Sequence, residues 1–211
     1  YWREIWSDAE TVNRHLLELV ENVSAATVDP CYRFEERVEL SVLLENGHAG
    51  AQETGGASPL RVLASNAPVT LRCDATLMTR MFAALLRQMA RIGGDGTRVT
   101  VEYLGKTSVW GSPAEWLRLR SSGEWNRDAV SRLFTPFAMA PYGAAKTDSD
   151  LLTAFFIVHH HGGTIEMHTN PPAGPSFELK LPHDPLAVER PPLEQGLLER
   201  LFLHTEDWER I

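Results

Sequence analysis

The 211-residue sequence has only two cysteines, Cys31 and Cys73, and no long hydrophobic run. Two cysteines are too few for a disulfide framework or a zinc ribbon, so the chain is neither a disulfide-rich domain nor a zinc-ribbon domain. The longest apolar stretch, Leu151–Val158, is interrupted by Thr153. It falls far short of the ~20 residues that a membrane-spanning helix needs. We therefore expect this segment to make no membrane contact and to be cytoplasmic, with anchorage of a longer parent chain left open.

Positive charge is also in short supply. The chain has 20 Lys and Arg against 28 Asp and Glu, a formal net charge of −8. This balance argues against nucleic-acid binding through a basic surface. The hydrophobic share of 43% and the charged share of 23% are ordinary for a folded soluble domain, so a sizeable core is expected.

The N-terminal segment predicts a helix over Ser7–Ser24. Ser7 and Glu10 have the spacing of a capping box. An apolar stripe at helical intervals comprises Val12, Leu16, Leu19, Val20 and Val23. Such a stripe needs a partner, either the body of the domain or the same helix of a second copy, and we expect a homodimer.

The middle of the chain predicts further short elements. We expect a strand at Arg37–Leu44, a loop at Asn46–Ser58, and a hairpin that pairs Pro59–Ala64 with Val69–Cys73. From Asp74, a helix cap, the period becomes helical through Leu77, Met81, Leu85 and Met89 to Gly93. Two more strands are expected at Thr97–Leu104 and Trp116–Arg120, joined by a loop over Gly105–Pro113.

The last third predicts a helix at Ser149–His160, a hairpin of Thr164–His168 with Ser176–Leu181, and an amphipathic tail helix at Leu193–Leu203. Helices with mostly antiparallel strands indicate an α+β fold, a two-layer sandwich whose mixed sheet is covered on one face by helices. We expect its core to include Leu85, Leu151, Phe155, Val158, Ile165 and Leu179.

Three motifs give this pattern a family likeness. They are LFTPF (Leu133–Phe137), HHGG (His160–Gly163) and the following TIEMHTNPPAGPSFELKLP (Thr164–Pro182). In this order they resemble the ATP-binding domain of sensor histidine kinases, of the GHKL (HATPase) group. The resemblance implies a GHKL-like domain over residues 34–183. Residues 1–28 would be the second helix of the kinase dimerisation hairpin, and residues 184–211 a C-terminal extension.

The resemblance also implies an ATP and magnesium site, and two of its motifs lie mid-chain. Gln88 stands where the family has a magnesium-binding Asn. The longer amide suits magnesium's tight octahedral geometry poorly, and the alternative is a solvated glutamine on a core helix. The family's adenine-reading Asp falls on Arg120, which has no acceptor for the adenine amino group. Gly123 lies one place from the family's glycine position.

The phosphate-binding motif at the start of the last long helix is altered as well. Asp148 and Asp150 stand near the positions of the family's glycines, and their charge would repel polyphosphate. Either aspartate also suits a helix cap. In the preceding lid, Lys146 either meets a phosphate or is a solvated lysine that pairs with Asp148.

From these changes we expect no catalytic residues and no cofactor. The expected function is a non-catalytic pseudokinase or regulatory module of two-component signalling, with a second copy or a response regulator as partner. The alternative is an active divergent histidine kinase that binds ATP and magnesium. His15 lacks the acidic neighbour and the proline of the family's phosphoacceptor motif. Three consecutive histidines, His159–His161, cannot converge on one ion, so no metal is expected.

Overall fold

A five-stranded mixed sheet and a separate two-stranded ribbon form the frame of the domain in the computed structural model. The structure describes residues 32–53, 60–63, 68–93, 97–122, 150–168 and 176–189. In these residues the helices are α1 (Leu40–Glu53), α2 (Ala75–Gly93) and α3 (Asp150–His160). The strands are β1 (Glu36–Glu39), β2 (Leu60–Leu63), β3 (Thr70–Cys73), β4 (Val99–Val109), β5 (Ser112–Ser121), β6 (Thr164–His168) and β7 (Ser176–Pro182).

The sheet order β2-β4-β5-β7-β6 combines one parallel pair, β2 with β4, and three antiparallel pairs. The ribbon pairs β1 with β3, antiparallel. This is the predicted α+β sandwich with a mixed sheet, and the predicted β6–β7 hairpin is confirmed.

Helix α2 lies at the centre of the helical layer. It packs against α1, α3 and the strands β4 and β5, while α3 also contacts β6. Asp74 caps α2, because its Oδ1 accepts a hydrogen bond from the Leu77 amide at 3.1 Å. Three of the expected core residues, Leu85, Val158 and Leu179, are fully buried. The other three, Leu151, Phe155 and Ile165, are partly buried.

Helix α1 contradicts the predicted strand from Leu40 onward and the predicted loop as far as residue 53, the last one described there. Only Glu36–Glu39 is a strand, and from Leu40 the chain is helical to Glu53. The buried side of α1 shows the helical period: Leu40, Leu43, Leu44, Gly47 and Ala51. Gly47 suggested a loop, but it is the point where α1 approaches α2. A β-carbon built there would lie 2.7 Å from the Cβ of Phe82.

The predicted β2–β3 hairpin is wrong. β2 pairs with β4 and β3 pairs with β1, so the two short strands belong to different sheets. β2 pairs with the eleven-residue strand β4 and β3 with the equally short β1, so neither strand is held by its neighbour in sequence.

The predicted loop between β4 and β5 is instead the continuation of both strands. They pair up to Val109 and Ser112, with an irregularity between Tyr103 and Gly105. The connection consists of Trp110 and Gly111 alone, both at positive φ (50° and 81°). Alternating polarity was weak there because this end of the hairpin is half-exposed.

The predicted N-terminal helix, residues 1–28, lies outside the described residues, as does the tail beyond Glu189. The start of the C-terminal extension is described. It forms a single 3-10 turn at Pro185–Ala187, and Asp184 pairs with Arg72 at 3.2 Å. None of the described helices combines the length and apolar character needed to span a bilayer.

Candidate functional site

The predicted magnesium position lies on the inner side of α2. Gln88 is fully buried, which contradicts its interpretation as a solvated residue. It is buried because α2 is covered on two sides, by α1 and by α3. Its chain neighbour Arg87 and the next-turn Arg91 reach the surface between α2 and α3.

Arg87 binds Asp150, the first residue of α3, with both ends of its guanidinium. Its Nε lies 2.8 Å from Oδ2 and its Nη2 lies 2.6 Å from Oδ1. Both side chains are mostly buried, with 16% and 19% of their surface exposed. Two parallel charge-assisted hydrogen bonds make this the strong type of ion pair. The pair connects the N-terminus of α3 to the C-terminal half of α2.

Arg91 adds a weaker contact to the same carboxylate. Its Nη1 lies 3.8 Å from Oδ2 of Asp150, and its side chain is 44% exposed. Asp150 therefore has two cations on one side and the N-terminal dipole of α3 on the other, an environment that suits an anion. Sequence reasoning missed both arginines, although their spacing of four residues around Gln88 places them on neighbouring turns.

Arg120 lies elsewhere. In β5, Leu117 and Leu119 face the helices, so by alternation Arg120 points to the opposite face of the sheet. Its side chain is 37% exposed, and its Nη1 lies 3.5 Å from Oε1 of Glu102 in β4. The structure thus does not bring Arg120 to Gln88 and Asp150.

Ser121, the next residue, is the one on the helix-covered face. It is buried against the end of α2, since a β-carbon on Gly93 would overlap its Oγ and the side chain of Thr97. A shift of one residue would align Ser121 with the family's adenine-reading Asp and Gly123 with the family's first glycine. Gly123, Lys146 and Asp148 lie outside the described residues, and their roles stay predictions.

The open face of the sheet carries a network of ion pairs centred on Glu178 of β7. Arg118 donates to Glu178 Oε1 from Nε at 2.9 Å and from Nη2 at 2.7 Å, and the Trp116 indole donates to Oε2 at 3.0 Å. Burial would raise the pKa of Glu178, but the hydrogen bond and charge of Arg118, aided by Trp116 and His168, lower it overall. The charge of Glu178 on this face is therefore neutralised by Arg118.

A second polar cluster joins β4, β5 and the chain after β7. The carboxylate of Glu115, which is buried, accepts a hydrogen bond from Tyr103 at 2.5 Å and contacts His183 Nε2. The hydrogen bond to Glu115, together with burial and the carboxylate charge, raises the pKa of Tyr103 to about 12. Because Glu115 lies near the start of β5 and Ser121 at its end, this cluster is remote from the candidate nucleotide site.

His161 acts as a structural corner between α3 and α2. Its Nδ1 lies 2.7 Å from the carbonyl of Ile157, and its Nε2 lies 3.1 Å from the amide of Asp74. A carbonyl only accepts and an amide N–H only donates, so these contacts suit the neutral tautomer with the proton on Nδ1. Among the described residues, no group of three metal-ligating side chains converges.

The solved structures that this architecture resembles include histidine kinases. No protein-family model and no curated protein matches the sequence. The mycobacterial sensor histidine kinase MprB is similar over 71% of this chain and 98% of its own, with 17% identity and a TM-score of 0.53. The Acinetobacter baumannii histidine kinase AdeS is similar over 86% of this chain and 83% of its own, with 18% identity and a TM-score of 0.50. At these identities the likeness is one of fold, and the chain has the fold of the ATP-binding domain of histidine kinases.

Proposed function

We propose that this domain is a cytoplasmic module of two-component signalling whose nucleotide site does not bind ATP and which acts through protein contacts. The observation that carries the proposal is the Arg87–Asp150 pair. A carboxylate of the chain itself is held by two hydrogen bonds at the N-terminus of α3, where the family likeness places phosphate. A phosphate group could bind there only after displacing Asp150.

The residues at the predicted metal and base positions also support a site that does not bind ATP. Gln88 is enclosed between helices, and its longer side chain is a poor substitute for the family's magnesium-binding Asn. On the base side, the one-residue shift would put the neutral hydroxyl of Ser121 where the family has a carboxylate, and a neutral acceptor makes the weaker hydrogen bond. The described residues therefore do not fit a magnesium–ATP complex held in the family's manner.

Calorimetric titration of the full chain with ATP and magnesium tests the proposal. We expect no binding heat at sub-millimolar nucleotide, since displacing Asp150 requires breaking two short charge-assisted hydrogen bonds. A dissociation constant in the micromolar range would instead support the alternative, an active divergent histidine kinase. The fold likeness to MprB, which extends over 98% of that structure, is the observation that favours this alternative.

The protein contacts we propose are self-association through Ser7–Ser24 and docking of a response regulator. Light scattering on the full chain should give twice the 23.6 kDa chain mass. The double variant Leu16→Glu, Leu19→Glu should be monomeric, because charge in the apolar stripe opposes burial of the helix. The control Glu18→Gln, Glu21→Gln alters polar positions and should remain dimeric. A monomer for the unaltered chain would mean that the stripe packs on its own domain.

A further inference from the structure

Two exposed apolar side chains, Trp110 and Leu186, belong to elements that meet at one end of the sheet. In the described ranges, the large apolar residues that are exposed are Val42, Trp110 and Leu186, the last two by 49% and 63%. Trp110 forms the tip of the β4–β5 hairpin, and Leu186 lies in the 3-10 turn that follows β7. Two hydrogen bonds bring these elements together: Ser112 Oγ to the Ala187 carbonyl and the His183 amide to the Pro113 carbonyl, both at 3.0 Å. We call Trp110 and Leu186 the tip patch.

Trp110 is an unfavourable residue for its turn. A two-residue hairpin connection with positive φ at both positions favours Asn-Gly, whereas a bulky side chain is strained there. The indole is also half-exposed, so it does not compensate by packing into the core. Neither the backbone nor the core explains tryptophan at this position, whereas an aromatic anchor for a docked segment does.

The chain leaves the described domain beside the tip patch. Val188 is buried, and its side chain lies against Gly162. The next residue, Glu189, is exposed and is the last one described. Three residues, Arg190 to Pro192, then separate it from the predicted amphipathic helix Leu193–Leu203. Fully extended, they span about 10 Å, which keeps the start of that helix near the patch.

We propose that the tip patch is the docking site for this chain's own C-terminal segment, Leu193–Leu203. At helical spacing, Leu193, Leu197 and Leu201 align on one side, flanked by Leu198 and Phe202. This apolar stripe matches the tip patch in chemistry, and the short tether gives it a high effective concentration there. The docked segment covers the indole of Trp110.

Fluorine NMR of the full chain, labelled with 5-fluorotryptophan, tests the docking. The Trp110→Phe variant assigns the Trp110 resonance, and the shift difference between H2O and D2O reports its exposure to solvent. We expect Trp110 to be protected in the unaltered chain. It should become exposed in the double variant Leu197→Ser, Leu201→Ser. The matched control Gln195→Ser, Glu199→Ser changes the opposite side of the segment and should leave Trp110 protected.

Three results would overturn the proposal. They are an exposed Trp110 in the unaltered chain, protection that survives the leucine substitutions, and protection that is lost on dilution, which would indicate a second copy as the occupant. A reciprocal measurement uses Trp110→Asn, which relieves the turn and removes the anchor. Tryptic cleavage after Arg200 should then be several-fold faster than in the unaltered chain, and an unchanged rate would also count against docking.

Discussion

Replacing Gly47 by alanine should destabilise the domain by about 2 kcal/mol, although alanine is the better helix former. An added β-carbon would lie 2.7 Å from the Cβ of Phe82 and 3.2 Å from the backbone nitrogen of Ala83. The neighbours cannot move aside easily, because Phe82 is fully buried and the nitrogen belongs to α2. Urea unfolding followed by circular dichroism measures the effect. For a domain of this size, about 2 kcal/mol corresponds to a melting point lowered by roughly 4–8 °C.

Gly50, one turn further along α1, provides the matched control. A β-carbon there would meet only the Cβ of Ala83, at an ordinary 3.7 Å. Gly50→Ala should therefore stabilise the domain by about 0.5–1 kcal/mol, because alanine loses less conformational entropy in a helix. The two substitutions should differ in sign. If both stabilise, α1 does not approach α2 as closely as the structure shows.

Helix α1 also shows why part of the fold escaped prediction. Its apolar residues follow the helical period from Leu40 to Ala51. In the sequence alone, Gly47 and Gly50 favour a loop. The structure shows that glycine is needed at position 47 because α2 packs directly against it. By contrast, α2 and α3 were predictable, because each carries a strong cap or a long apolar run within its own sequence. The strand pairings of β2 and β3 depend on distant partners, which local patterns do not reveal.

The candidate site also has a part that the sequence predicts and a part that only the structure reveals. The sequence was sufficient to place Gln88 and Asp150 on helices, which the structure confirms, whereas their roles as altered nucleotide-binding positions stay predictions. It could not show that Arg87 reaches across to Asp150, since the two residues are 63 positions apart. It also aligned Arg120 with the base-reading position. Strand alternation, visible only once the covered face is known, puts Ser121 on the side of the helices.

Replacing Arg87 by methionine should cost about 2 kcal/mol of folding free energy. Breaking a buried ion pair from one side typically costs about 3–5 kcal/mol, and here some exposure and the second cation, Arg91, reduce the loss. Arg91→Met is the matched control. Its contact is long and its side chain 44% exposed, so the cost should stay below about 0.5 kcal/mol. Equal effects in urea unfolding would contradict the dominant role of Arg87.

Replacing Asp150 by asparagine should give the domain an affinity for phosphate groups that the unaltered chain lacks. The amide keeps the size of the side chain, but it removes the anion held by Arg87. An arginine beside a helix N-terminus then remains as a phosphate-binding arrangement. ATP at ten times its dissociation constant should raise the free energy of unfolding by about 1.4 kcal/mol in this variant. Asp184→Asn is the control, because it breaks the Arg72 pair beside a single 3-10 turn and not at the N-terminus of an α-helix, and it should gain no affinity for ATP. If ATP stabilises neither variant while both remain folded, Asp150 is not a substitute for phosphate, and the proposed closure of the site by this pair is wrong.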